Sequence, residues 1–153
     1  GFTVSGIAET LYFADLPGNI MYGTSSRYGR LILFKLVDNN QAAIVRVYAG
    51  SVDYIKGDFL AAFDHKASEQ NERTEISIET RFGSMIVKQI AGLVARRILC
   101  YAKKNKKMLA GDRLGFIRFG SRTDIILPNK VTLKVELDQK VYGGQTIIGK
   151  YEV

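Results

Sequence analysis

Short apolar runs, many alternating with polar residues and separated by glycine, recur along the whole chain. A period of two puts one side of each run on a core and the other in water, which is the habit of half-buried strands. Strands are predicted over residues 2–13, 30–37, 43–49, 51–55, 75–79, 84–89, 114–119, 124–127, 131–137 and 145–151. Their Ile, Val, Phe and Tyr content suits a pleated surface. Two stretches break the pattern. Residues 58–70 carry Phe59, Leu60 and Phe63 on helical spacing behind Asp58, which predicts one short helix. Residues 92–99 fit either a helical turn or a buried strand, and Arg96 and Arg97 tip the choice toward a helical turn. The expected fold is mainly β (α+β): a compact barrel or sandwich of short strands with one or two short helices. No composition shift divides residues 1–153, so one domain is expected.

Charge and rare residues narrow the chemistry. The 22 Lys+Arg outnumber the 15 Asp+Glu, for a net +7, which favours an anionic partner. A nucleic acid is not expected, because no basic strand interleaved with aromatics stands out. An anionic membrane face remains, with Lys103, Lys104, Lys106 and Lys107 as a basic knot that otherwise reads as a solvated loop. One cysteine, Cys100, and one histidine, His65, leave no Cys- or His-built metal site, and no metal is expected. A Ser-His-Asp hydrolase would need His65 as its base, yet that residue reads as an exposed or partly packed helix histidine. No apolar run approaches the roughly 20 residues of a spanning helix, and no secretory leader opens the sequence.

The most informative stretch is residues 113–128, RLGFIRFGSRTDIILP. Taken alone, Gly120-Ser121 between two apolar strands reads as a hairpin turn. Its surroundings say more. Arg118-Phe119-Gly120-Ser121-Arg122, followed by Leu127-Pro128, resembles the processing site of the phosphatidylserine decarboxylase family, in particular its short bacterial branch. Other phrases follow in the same order. Lys56-Gly57-Asp58-Phe59-Leu60, Lys66-Ala67-Ser68 with Asn71-Glu72-Arg73, Gln89-Ile90-Ala91-Gly92 with Ala95-Arg96-Arg97-Ile98, and Gly144-Gln145-Thr146-Ile147 are all similar to family phrases.

The resemblance implies a proenzyme cut between Gly120 and Ser121. Ser121 would become a pyruvoyl group, the ketone that serves as an electron sink for decarboxylating phosphatidylserine to phosphatidylethanolamine. Gly120 would end the larger fragment, while Arg118 and Arg122 would suit a substrate carboxylate or phosphate. It further implies a phospholipid substrate, a cytoplasmic protein peripheral to the inner cell membrane, and a core shared by both sides of the cut. A homo-oligomer is compatible with it. The sequence departs from the family at the residues that assist self-cleavage. Ser5 stands where an aspartate is expected, and residues 39–46, NNQAAIVR, have Gln41, Ala42 and Ala43 where a histidine is expected. A second reading therefore stays open: a non-catalytic homologue that binds phospholipid headgroups, an anionic membrane face or a protein partner.

Overall fold

A computed structural model describes residues 2–12, 20–22, 30–32, 47–80, 83–108, 113–141 and 146–151, with backbone alone for residues 2–12, 20–22, 30–32, 47–49 and 120. Among the described residues the elements run β1 (Phe2–Tyr12), β2 (Ile20–Tyr22), β3 (Arg30–Ile32), β4 (Val47–Ile55), α1 (Ala67–Gln70), β5 (Arg73–Thr80), β6 (Gly83–Ile90), β7 (Ile98–Cys100), β8 (Lys107–Met108), β9 (Arg113–Leu127), β10 (Val131–Leu133) and β11 (Ile147–Tyr151). Eight strands form one sheet in the order β3-β1-β9-β6-β5-β4-β8, with β7 also on β9. A second sheet of three runs β10-β11-β2. All pairings are antiparallel except β1 with β3. The mainly β fold read from the sequence is what the chain adopts.

Alternation explains the centre of the large sheet. In β5, Thr74, Ile76 and Ile78 point inward, and in β6, Met85, Val87 and Gln89 do the same. The resulting core joins Ile76, Ile78, Met85 and Val87 to Leu114 and Ile125 of β9, and to Val131 and Tyr151 of the smaller sheet. Residues before and after position 120 thus fill one core. Fully burying an aliphatic side chain contributes about 1.5–3 kcal/mol, so these contacts bind the segments before and after residue 120 to each other.

Several sequence expectations are corrected. The helix over 58–70 shrinks to α1, because its first half is extended and docked on the chain after α1. Asp58 N–H donates to the Gln70 carbonyl at 2.8 Å, and Glu72 N–H donates to the Asp58 carbonyl at 2.9 Å. Buried Asn71 completes the dock: its Oδ1 accepts from Leu60 N–H at 2.9 Å, and its Nδ2 donates to the carbonyls of Leu60 at 2.9 Å and Ala91 at 2.8 Å. Gly57 permits the approach, since a Cβ there would lie 2.2 Å from the Gln70 carbonyl oxygen. Leu60 thereby has its backbone groups taken by a side chain and cannot spend them on a helix.

The helical turn favoured over 92–99 is also absent. Gly92 N–H donates to the Ala95 carbonyl at 2.9 Å, which is the reverse of helical polarity, and the chain then enters β7. The strands expected at 43–49 and 51–55 merge into β4 from Val47 onward, with a register shift between Ala49 and Ser51 around Gly50. Residues 43–46 lie outside the described residues. The strand expected over 131–137 stops at Leu133. Residues 103–107 form an exposed connection, with Lys106 N–H on the Lys103 carbonyl at 2.9 Å and Lys107 entering β8.

Candidate functional site

The Gly120-Ser121 pair is not a hairpin turn. It lies inside β9, a single strand of 15 residues, because β1 pairs along both halves of it. The pairs Ala8↔Ser121 and Thr10↔Phe116 leave Glu9 of β1 facing residues 117–120 of β9. This is a bulge, a device that re-aims a strand locally and recurs beside active sites. Within it Phe119 has φ 71°, a left-handed conformation that a bulky L-residue adopts only at a cost of order 1–2 kcal/mol. On the other edge β7 pairs β9 up to Ile117, and β6 pairs it from Arg122 onward. Between them, Arg118 N–H reaches the Arg97 carbonyl at 3.1 Å. The Gly120–Ser121 peptide therefore sits in a window between two ladders.

Ser121 is 1% exposed, and among the described residues its hydroxyl has no hydrogen-bond partner. Gly92 makes room for it: a Cβ at position 92 would stand 2.8 Å from Ser121 Oγ and 3.5 Å from the Ala62 methyl. By strand alternation Thr123 shares the inward face with Ser121, and its buried hydroxyl is likewise unpartnered among the described residues. Opposite Thr123 stands buried Gln89, whose Oε1 accepts from Thr74 Oγ1 at 2.9 Å. A row of buried polar side chains (Thr74, Gln89, Thr123, Ser121) thus crosses three strands and ends at the serine.

The other face of β9 is fully engaged. Asp124, 1% exposed, accepts from Arg122 Nε at 2.7 Å and from the Ser68 hydroxyl. Arg122 Nη1 also donates to the Asp64 carbonyl at 3.3 Å, tying the strand to the segment before α1. Lys88 is registered opposite Asp124, and its Nζ lies 3.1 Å from Glu75, which also accepts from Arg73 Nε at 2.7 Å. Burial pushes the Glu75 carboxyl up, but the hydrogen bonds from Arg73 and Lys88 outweigh it and hold the group below its ordinary range.

The structure separates the two arginines that the sequence paired. Arg122 is occupied by Asp124, whereas Arg118 is exposed, with its guanidinium 5.1 Å from the Phe119 ring centroid. His65 is exposed beside Asp64, with Nδ1 3.6 Å from that carboxylate, and it belongs to the turn before α1 rather than to a helix. Residues 39–46, where a histidine was expected, lie outside the described residues. The backbone of Ser5 is registered with Asp124, so a carboxylate borne by β9 stands beside the position where the aspartate was expected. No cluster of three or more His, Cys, Asp or Glu suited to a metal occurs among the described residues. Sequence reasoning missed the roles of Gly92, Asn71 and Ser68. Their signal was present only as family-like phrases, not as geometry.

The Gly120-Ser121 bond thus lies within a strained, two-sided strand, with the Ser121 hydroxyl buried beside a glycine. The phosphatidylserine decarboxylase family pattern matches residues 40–149, and the chain belongs to this family. It is 48% identical over 151 residues to the phosphatidylserine decarboxylase proenzyme of Geobacter metallireducens, covering 92% of this chain and 69% of that relative. It is 46% identical over 98 residues to the proenzyme of Chlorobium phaeobacteroides, covering 64% of this chain and 46% of the relative. With the proenzyme of Burkholderia cenocepacia, identity is 47% over 102 residues, covering 66% of this chain and 48% of the relative. The aligned part is thus about half the length of the last two. No solved structure matches the chain.

Proposed function

We propose that this chain is a pyruvoyl-dependent carboxy-lyase that converts phosphatidylserine, or a related amino-phospholipid, to phosphatidylethanolamine after cutting itself between Gly120 and Ser121. The supporting observation is the Ser121 hydroxyl, buried beside Gly92 and without a partner among the described residues, directly after a left-handed Phe119 and Gly120. An unpartnered buried hydroxyl is costly to keep unless it has work to do. Ser121 Oγ attacks the Gly120 carbonyl carbon, the peptide nitrogen takes a proton, and an ester replaces the amide. Loss of the Ser121 Cα proton then expels the Gly120 carboxylate, and water releases ammonia to leave a ketone at the new terminus. Relaxation of Phe119 favours the cut.

The pyruvoyl ketone supplies the electron sink for loss of CO₂ from the bound amino acid headgroup. The chain's own residues do the rest. β1 keeps residue 121 in register, β6 holds the strand from residue 122 onward, and Gly92 leaves space next to the serine. Arg122 positions β9 through Asp124, and exposed Arg118 pairs with the substrate phosphate or carboxylate. Residues 1–153 act as one domain, and the substrate reaches the site from a membrane face.

Intact-mass analysis of freshly purified protein is the test. Two fragments, residues 1–120 and 121–153 with a blocked terminus on the smaller, are expected, and Ser121→Ala should give one uncut chain. Uncut wild-type protein that releases no CO₂ from phosphatidylserine overturns the proposal. A second reading draws on the absence, among the described residues, of any proton acceptor on Ser121 Oγ. It holds the chain to be a non-processing homologue that binds phospholipid headgroups, and the same mass spectrum decides between the two.

A further inference from the structure

Three chain segments meet around Ser121, and each presents large apolar side chains to solvent. Phe63 is 87% exposed, Leu93 59%, Val94 75% and Phe119 67%. Their common location follows from contacts. A Cβ at Gly92 would meet both Ser121 Oγ, at 2.8 Å, and the Ala62 methyl, at 3.5 Å, so the turns bearing Phe63 and Leu93-Val94 lie close to the serine. Phe119 precedes Ser121 by two residues, and Arg122 ties β9 to the Asp64 carbonyl next to Phe63. Guanidinium groups stand among these tips. Arg118 lies against the Phe119 ring. Arg96 lies 5.0 Å from the Phe59 ring centroid and donates from Nε to the Leu93 carbonyl at 3.0 Å. Arg97, beside it, is exposed. The acid close by, Asp64, is turned to its own loop, where its carboxylate accepts from Lys66 N–H at 2.8 Å.

We propose that Phe63, Leu93, Val94 and Phe119, with Arg96 and Arg118 among them, form a rim that seats the Ser121 window on an anionic phospholipid bilayer. This rests on the decarboxylase reading, and it names the surface through which that site meets its substrate. Apolar tips on separate turns, spaced by arginines, suit a layer in which acyl chains lie beneath phosphates. The tips enter the acyl boundary while the guanidiniums pair with the headgroups. A phospholipid headgroup cannot travel far from its bilayer, so a site acting on it gains from docking loops at its own mouth. The lysines at 103–107 follow β7, whose Cys100 end pairs with Gly115 on the side of β9 away from Ser121, and they are not the docking face.

Sedimentation of the full chain with vesicles of equal parts phosphatidylcholine and phosphatidylserine tests the rim. The triple variant Phe63→Ser, Leu93→Ser, Val94→Ser changes exposed positions only, and its thermal midpoint is measured alongside to confirm folding. A loss of about tenfold or more in vesicle partition is expected, because partition scales with the apolar area inserted. Changing Lys103, Lys104, Lys106 and Lys107 to Gln should cost about twofold or less once salt screens them. The rim is overturned if the wild-type chain stays in the supernatant, if the triple variant partitions like wild type, or if the lysine variant loses as much as the triple. It is also overturned if the triple variant changes only the oligomeric mass. Cleavage at 120/121 is read separately by mass. A cut chain that ignores vesicles sinks the rim alone, whereas an uncut, inert chain that binds through the rim sinks the decarboxylase reading alone.

Discussion

The two faces of β9 beside the proposed cut treat their polar groups in opposite ways. On the outward face Arg122, Asp124 and Ser68 satisfy one another, and Lys88, Glu75 and Arg73 continue the charged row across β6 and β5. On the inward face Ser121 and Thr123 are as deeply buried, yet their hydroxyls have no partner among the described residues. Among the described residues the strand leaves these groups unmet while the polar groups one residue away are satisfied. Under the function proposed above, the outward face fixes the strand and the inward face carries the reacting hydroxyl, so positional strength is kept apart from reactivity.

That contrast is open to direct attack. The largest effect on folding is expected from Asp124→Ala, which removes the buried carboxylate to which partly buried Arg122 and Ser68 donate and should cost about 3 kcal/mol in urea unfolding. A loss well under 1 kcal/mol would mean that the outward face does not fix the strand. Gly92→Ala puts a methyl against Ser121 Oγ. Cleavage at 120/121, followed by mass against time, should slow by about tenfold, worth roughly 1.4 kcal/mol of barrier, with little change in unfolding. Thr123→Val removes a hydroxyl that bonds to nothing described, so it should leave stability unchanged or raise it by about 1 kcal/mol. Clear destabilisation would show that the inward row is satisfied after all.

The smallest effect is one of pH. The Glu75 carboxyl lies below its ordinary range in the folded protein. Its contribution is therefore present above the unfolded-state pKa and fades as pH falls through the folded one. Glu75→Gln should flatten the loss of stability on acidification below the usual carboxylate range, as read from urea midpoints, and leave the neutral-to-alkaline part unchanged.

Much of this architecture was legible before any coordinates. Period-two alternation locates β5 and β6 to within two residues, since both strands face one core and water in turn. The sequence cannot show what arrives from far along the chain. The apolar spacing of Phe59, Leu60 and Phe63 is sound for a helix, but Asn71 takes the Leu60 backbone groups from 11 residues away. Gly-Ser reads as a turn because the local signal is a turn signal, whereas β1 spans both halves and draws them into one strand. At the site, the phrase around Ser121 marks the bond proposed to be cut, and the phrase around Gly92 is equally visible. That one glycine clears space for the other phrase's hydroxyl is a fact of tertiary packing. The left-handed turn of the chain at Phe119 has no signature in a bulky aromatic, which ordinarily argues against it.

The common core has one more implication. Ile76, Ile78, Met85, Val87 and Leu114 precede the proposed cut, and Ile125, Leu127, Val131 and Tyr151 follow it. Uncut, the molecule folds as a single chain, at a rate indifferent to dilution. Cut as proposed, any denatured pair would have to find each other again by diffusion, with no tether and with one end chemically altered. Maturation would then make folding a journey taken once: a heated and cooled sample of the cut protein should recover in a concentration-dependent way, while the Ser121→Ala chain recovers regardless of how thinly it is spread.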